Sequence, residues 1–100
     1  MHADMSGSAA VTAAMRAIAT LKLPINVVAS MPFAENCVGA NAYKPHAIIK
    51  SKKGLSVEIN NTDAEGRLAL VDAFTHVQQT YRPNVMVDMA TLTGVFSCEG

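Results

Sequence analysis

Twice in 100 residues this chain sets an amphipathic helical stripe, then a proline, then a short apolar run rich in β-branched residues. Ala10, Ala14, Ile18 and Leu21 recur at helical spacing within Ser6 to Leu21, and Val11, Met15 and Ala19 widen the stripe. Asp4, Ser6 or Ser8 is placed to cap the start, and Pro24 closes the helix. Ile25 to Ser30 then reads as a strand covered on both faces. The second pass predicts a helix over about Glu65 to Tyr81, with Leu70, Phe74, Val77 and Tyr81 on its stripe and Val71 beside them. Pro83 and a strand at Val85 to Met89 follow it, and the stretch from Ala90 to Gly94 leaves as a turn that starts a further helix.

Between the two passes lie a long loop and a hairpin. Residues 31–46 carry two Pro, one Gly and two Asn, and irregular loops of that length inside compact domains are usually functional or disordered. Ala47 to Ser51, the turn Lys52-Lys53-Gly54 and Leu55 to Ile59 form the hairpin, with the lysines Lys50, Lys52 and Lys53 solubilising its tip. The expected fold class is α/β, part of a mixed β-sheet flanked by helices. Two helices cover only part of such a sheet, so residues 1–100 are expected to be a slice of a larger domain.

Composition narrows the function classes. Eight Lys+Arg balance eight Asp+Glu, which argues against a nucleic-acid partner or an acidic membrane surface. The Ala-rich run after Ser8 is interrupted by Arg16 and Lys22 before it reaches spanning length, and no basic leader precedes it. Cys37 and Cys98 lie far apart with no CxxC, so neither a disulfide scaffold nor a cysteine zinc site follows. A soluble, cytoplasmic chain is expected. Half the residues are apolar but only 5% are aromatic, which leaves any core to Ala, Val, Ile, Leu and Met.

The unusual chemistry is concentrated in Asn61 to Leu68. If that segment is extended, alternation puts Asp63, Glu65 and Arg67 on one side. Two carboxylates so placed suit a hard divalent cation, which offsets their repulsion. Arg67 suits stabilisation of a developing oxyanion, and Gly66 permits close approach of backbone or substrate. A structural reading stands beside this one: Thr62-x-x-Glu65 is a capping box, and Asp63 a first-turn acid favoured by the helix dipole. Spacing leaves both open. Asp4 is likewise a ligand or a cap, and Glu35-Asn36 a hydrogen-bonding pair for substrate or a solvated loop. His2, His46 and His76 show no metal-ligand spacing.

The eight residues NTDAEGRL, Asn61 to Leu68, match the signature of the leucyl aminopeptidase family, the M17 dinuclear metallo-aminopeptidases. Asp4-Met5-Ser6-Gly7-Ser8-Ala9-Ala10 resembles the family's DM-x-G-A-A segment, and Leu23 to Val28 its following strand. Glu35-Asn36 falls at its EN pair, and Asp88 to Gly94 resembles its ATLTG element. Order and spacing agree throughout, which favours the ligand reading over the cap. One departure is local: the family pattern has Gly and Asp after the Lys-Pro step, where this chain has His46-Ala47.

The resemblance implies a metal-dependent aminopeptidase that releases N-terminal residues such as leucine from peptides by two-metal hydrolysis. It assigns Asp4, Asp63 and Glu65 as metal ligands, with Glu65 bridging the ions and the Asp63 carbonyl also coordinating. Arg67 becomes the catalytic arginine, holding bicarbonate, and Thr91 and Leu92 position the substrate through backbone groups. The implied cofactors are two divalent ions, Mn²⁺ or Zn²⁺ with Mg²⁺ also suited, and the implied assembly is a hexamer. The family's upstream ligands (a lysine and an aspartate) and its catalytic lysine have no counterpart among these residues, so this fragment of the catalytic domain is expected to be inactive by itself. The rival expectation is a truncated, non-catalytic relative that docks as an interaction module on a full-length subunit.

Overall fold

The computed structural model describes residues 2–93. The expectations for Gly94, for a helix beyond it and for Cys98 lie outside the described residues, as does that for the His2 side chain. The chain divides into two compact units, one made of Met1–Met31 with the segment from Val85 onward, the other of Pro32–Asn84.

In the first unit a short 3₁₀ turn, His2–Met5, leads into helix α1, Ser6–Leu21. The helix spans the residues that the apolar spacing predicts. Its covered stripe is rotated slightly: Val11, Ala14, Met15 and Ile18 are half-buried, whereas Ala10, Ala19 and Leu21 are exposed. The helix ends on Lys22 in the left-handed conformation, φ 52° and ψ 44°. There the Leu23 N–H bonds the Ile18 carbonyl and the Lys22 N–H that of Ala19, both at 3.2 Å. That pair of bonds satisfies carbonyls which a helix end otherwise leaves bare.

The start of α1 is held from far away in sequence. Met5 supplies no side-chain cap, and the Gly7 N–H donates instead to Thr91 Oγ1 at 3.0 Å. Gly7 is required here by space. A Cβ on it would stand 2.7 Å from both the Met89 carbonyl oxygen and the Ala90 Cα.

The strands expected at 25–30 and 85–89 are not formed as ladders among the described residues. A strand exists through its hydrogen-bonded neighbour, and these runs have none there. Their side chains stay open: Val85 is 77% and Val87 80% exposed, with Ile25, Val27 and Val28 also exposed. The sheet among the described residues is two-stranded and antiparallel, and with the two helices it makes the partial α/β domain expected from the sequence.

That sheet belongs to the second unit. Strands β1, Ile48–Lys50, and β2, Ser56–Glu58, pair in the register Ile48↔Glu58, Ile49↔Val57, Lys50↔Ser56. The turn needs Gly54, whose φ is +91°. Ser51 closes it, accepting the Gly54 N–H on its carbonyl at 2.8 Å and the Leu55 N–H on its hydroxyl at 3.1 Å. Helix α2, Glu65–Tyr81, follows a second 3₁₀ turn, Thr62–Ala64. Asp72 on α2 accepts the Lys52 N–H at 2.8 Å, which ties hairpin to helix. Ile49 and Val57 turn one half-buried face inward, and Ile59 beside them is 2% exposed, the one fully buried apolar side chain among the described residues.

Candidate active site

Residues 62–68 are helical rather than extended. Asn61 is in the β region, φ −136° and ψ 117°, and its side-chain oxygen accepts the Asp63 N–H at 2.9 Å. The Asn61 carbonyl accepts the Ala64 N–H at 3.3 Å. The cap is therefore Asn61 with an Asx-type bond, and the Thr62–Glu65 capping box does not form. Thr62 instead offers its carbonyl to the Tyr43 hydroxyl, at 3.3 Å.

The helical course overturns the alternation argument. Successive residues in an α-helix turn by about 100°, so Glu65 and Arg67 project roughly 200° apart. The surroundings agree. Glu65 acts on Tyr43, whose phenol is pushed above its usual value of 10.0, first by partial burial of the ring and second by the Glu65 charge. Arg67 lines a separate cleft of about 230 Å³ with Glu58, Ile59, Asn60, Asn61, Ala64 and Leu68.

Asp63 and Glu65 are both exposed. Among the described residues the one ion pair within 4 Å is His46–Glu58, at 3.4 Å, so neither carboxylate of the turn has a cationic side chain at that range. Each is a hard oxygen donor of the kind that suits a divalent cation, but they too are two positions apart on the helical course, so the turn by itself does not bring them to one side. They supply only part of a coordination shell: within neither unit do three His, Cys, Asp or Glu side chains converge among the described residues.

Asp4, Thr91 and Leu92 lie in the first unit. Asp4 is exposed in the 3₁₀ turn before α1, and the structure gives the helix-start bond to Thr91 rather than to an acidic cap. Thr91 and Leu92 line a cavity of about 450 Å³ with Ser6, Gly7, Met89, Ala90 and Thr93. The Thr91 side chain is engaged by α1, while both residues border open space of a size that suits a small ligand. Glu35 and Asn36 are exposed in the irregular loop at 31–46. Tyr43 carried no local signal in the sequence, because its partner Thr62 is 19 positions away.

His46 stands where the family pattern places Gly, and its backbone has φ 65°, the left-handed region that Gly enters freely. Its N–H donates to the Ile59 carbonyl at 2.7 Å, and the Ile59 N–H returns to the Ala47 carbonyl at 2.9 Å. The turn is thus built in the left-handed form without its glycine.

A sequence model described as the cytosol aminopeptidase family, catalytic domain, matches residues 1–98. A probable cytosol aminopeptidase of Hydrogenovibrio crunogenus is 53% identical over 94 residues, which are 94% of this chain and 19% of that protein. One from Roseiflexus castenholzii is 50% identical over 97 residues, 97% of this chain and 20% of that protein. The probable cytosol aminopeptidase 1 of Shewanella oneidensis is 49% identical over 94 residues, 94% of this chain and 19% of that protein. The chain spans about a fifth of the length of these curated relatives. No solved structure gives a significant match. Matched over nearly its whole length, the chain belongs to the cytosol aminopeptidase family, within its catalytic domain.

Proposed function

We propose that these residues serve a metal-dependent aminopeptidase that releases N-terminal amino acids, leucine and similar, from peptides. The observation that carries this reading is the turn at 61–65, which holds Asp63 and Glu65 exposed, with no cationic side chain within 4 Å among the described residues, in a family named for aminopeptidase activity. Asp63 and Glu65 are proposed ligands of divalent ions, Mn²⁺, Zn²⁺ or Mg²⁺, and Asp4 is proposed as a ligand by the resemblance of its own segment. When bound, such ions supply Lewis-acid polarisation of the scissile carbonyl and an activated water.

The chain's own residues perform the remaining tasks. Arg67 brings a permanent positive charge to its cleft, where it is proposed to hold a small anion such as bicarbonate. The backbone at Thr91 and Leu92 orients the peptide along the cavity they line. The open apolar residues Ile25, Val27, Val28, Val85 and Val87 support assembly into a homo-oligomer, for which the hexamer is the proposed form. No helix among the described residues is long and apolar enough to cross a membrane, and a cytoplasmic location follows the relatives' names.

These 100 residues alone are inferred to be inactive, since loss of members of a cooperating catalytic set costs orders of magnitude in rate. Calorimetry with Mn²⁺ tests the metal assignment. Weak binding to the chain and its loss in Asp63→Ala are expected; no metal-dependent heat, or equal heat in the variant, overturns it.

A further inference from the structure

We propose that Gly7 is a positioning residue for the backbone at Thr91 and Leu92, its N–H holding the Thr91 hydroxyl and its bare Cα seating residues 89–91 against the start of α1. The inference deepens the reading of Thr91 and Leu92 as groups that orient the peptide, and rests on it.

The first N–H groups of a helix have no partner inside it. Met5 offers no side-chain cap to α1, and the Gly7 N–H is taken by Thr91 Oγ1 at 3.0 Å, from 84 positions away. One hydroxyl therefore serves two elements: it closes the helix start and fixes where residue 91 lies. A second contact acts beside it. A Cβ at Gly7 would stand 2.7 Å from the Met89 oxygen and from the Ala90 Cα, so the lack of a side chain is what lets the two backbones meet. The segment is thus held at two points, which stops it from pivoting about either.

These contacts matter because strand pairing does not hold the segment. Residues 85–93 join no ladder among the described residues. Nor does any hydrogen bond among the described residues take up the N–H or the carbonyl of Thr91 or Leu92. Those main-chain groups border the cavity of about 450 Å³ that Gly7 also lines. Main-chain donors and acceptors recognise an extended peptide by pairing with it, and they bind best when their position is fixed beforehand. The side chain of Thr91 faces the helix, and its backbone is left to the ligand. One intramolecular hydrogen bond of this kind corresponds to about a three- to tenfold change in an equilibrium constant.

The test titrates the full chain with leucylglycine alone and reads binding from the Thr91 and Leu92 amide resonances, each variant being first shown to be folded by circular dichroism. Thr91→Val keeps the shape of the side chain and loses the acceptor, whereas Thr91→Ser keeps the acceptor. His46→Val strains a turn of the other unit and controls for a general loss of stability. The expected result is about three- to tenfold weaker binding in Thr91→Val, a loss at least as large in Gly7→Ala, and binding equal to the parent in Thr91→Ser and His46→Val. Thr91→Val binding as tightly as the parent overturns the positioning role and leaves the peptide-orienting reading intact. Thr91→Ser binding as weakly as Thr91→Val also overturns it, because the hydroxyl is then not the cause. An equal loss in His46→Val overturns it as well, the effect being one of stability alone. If leucylglycine moves neither amide of the parent, the peptide-orienting reading fails, and the role for Gly7 fails with it.

Discussion

Replacing Gly7 with alanine puts one methyl group where the structure has no room. The added carbon would lie 2.7 Å from the Met89 oxygen and 2.7 Å from the Ala90 Cα, with the Thr91 nitrogen at 3.1 Å. Carbon contacts are comfortable at about 3.5–4.0 Å, so the 89–91 backbone must retreat by most of an ångström. Overpacking of that kind costs about 1–3 kcal/mol. The retreat also stretches the 3.0 Å bond from the Gly7 N–H to Thr91, and losing a helix-start bond costs about 1 kcal/mol more. Alanine returns at most about 1 kcal/mol through its better helix propensity. The expected net loss is about 2 kcal/mol. At a urea m-value of about 1–2 kcal/mol per M, the unfolding midpoint falls by about 1–2 M. Gly39→Ala is the control, since a Cβ there meets nothing within 4 Å. A Gly7→Ala chain that unfolds at the parent's midpoint would refute the steric argument.

Two further perturbations probe the second unit. His46→Val is expected to cost about 1–2 kcal/mol, because a β-branched residue is strained at φ 65°, whereas His46→Gly should unfold no earlier than the parent. The exposed Glu58 contact that both variants lose is worth little, and equal losses in chemical denaturation would show that backbone strain is not the cause. The phenol of Tyr43 sits above 10.0 in the folded chain, so as pH rises through 10 the unfolded chain releases that proton first and is favoured. Stability is expected to decline through that window up to the raised folded value. Tyr43→Phe should remove this contribution, and an alkaline decline in unfolding free energy as steep in the variant as in the parent would contradict it.

Both helices and the hairpin were legible because each is a local code. The 3.6-residue spacing of apolar positions bounds α1 at Ser6 and Leu21, and Lys52-Lys53-Gly54 marks a turn that needs a positive φ. Residues 25–30 and 85–89 were misread because β-branched runs report a preference for pairing, and pairing depends on a neighbour elsewhere in a chain. The site was legible in composition and illegible in aim. The string NTDAEGRL points to Asp63, Glu65 and Arg67, yet whether they line up depends on the turn being helical. Asn61 rather than Thr62 takes the cap, although both are good capping residues, and its extended backbone directs its side chain to the Asp63 N–H. Thr91 at the start of α1 and Tyr43 at the turn were unreadable, since each acts across a long sequence separation.

One compact unit is continuous in sequence and the other is interrupted by it. The continuous unit, Pro32–Asn84, can gather its hairpin and helix from contacts made soon after each segment leaves the ribosome. The interrupted one must close a loop of 84 residues before Gly7 meets Thr91. Loop-closure entropy scales as (3/2)RT ln n, about 4 kcal/mol at that length apart from a constant, and prior folding of the insert shortens the effective loop. Synthesis order and docking order therefore differ: α1 is made before the insert, but its N-terminus docks only after the insert has been made. The backbone before α1, Asp4 included, is thus among the last parts to reach its final place, and amide exchange at Gly7 should report that late closure.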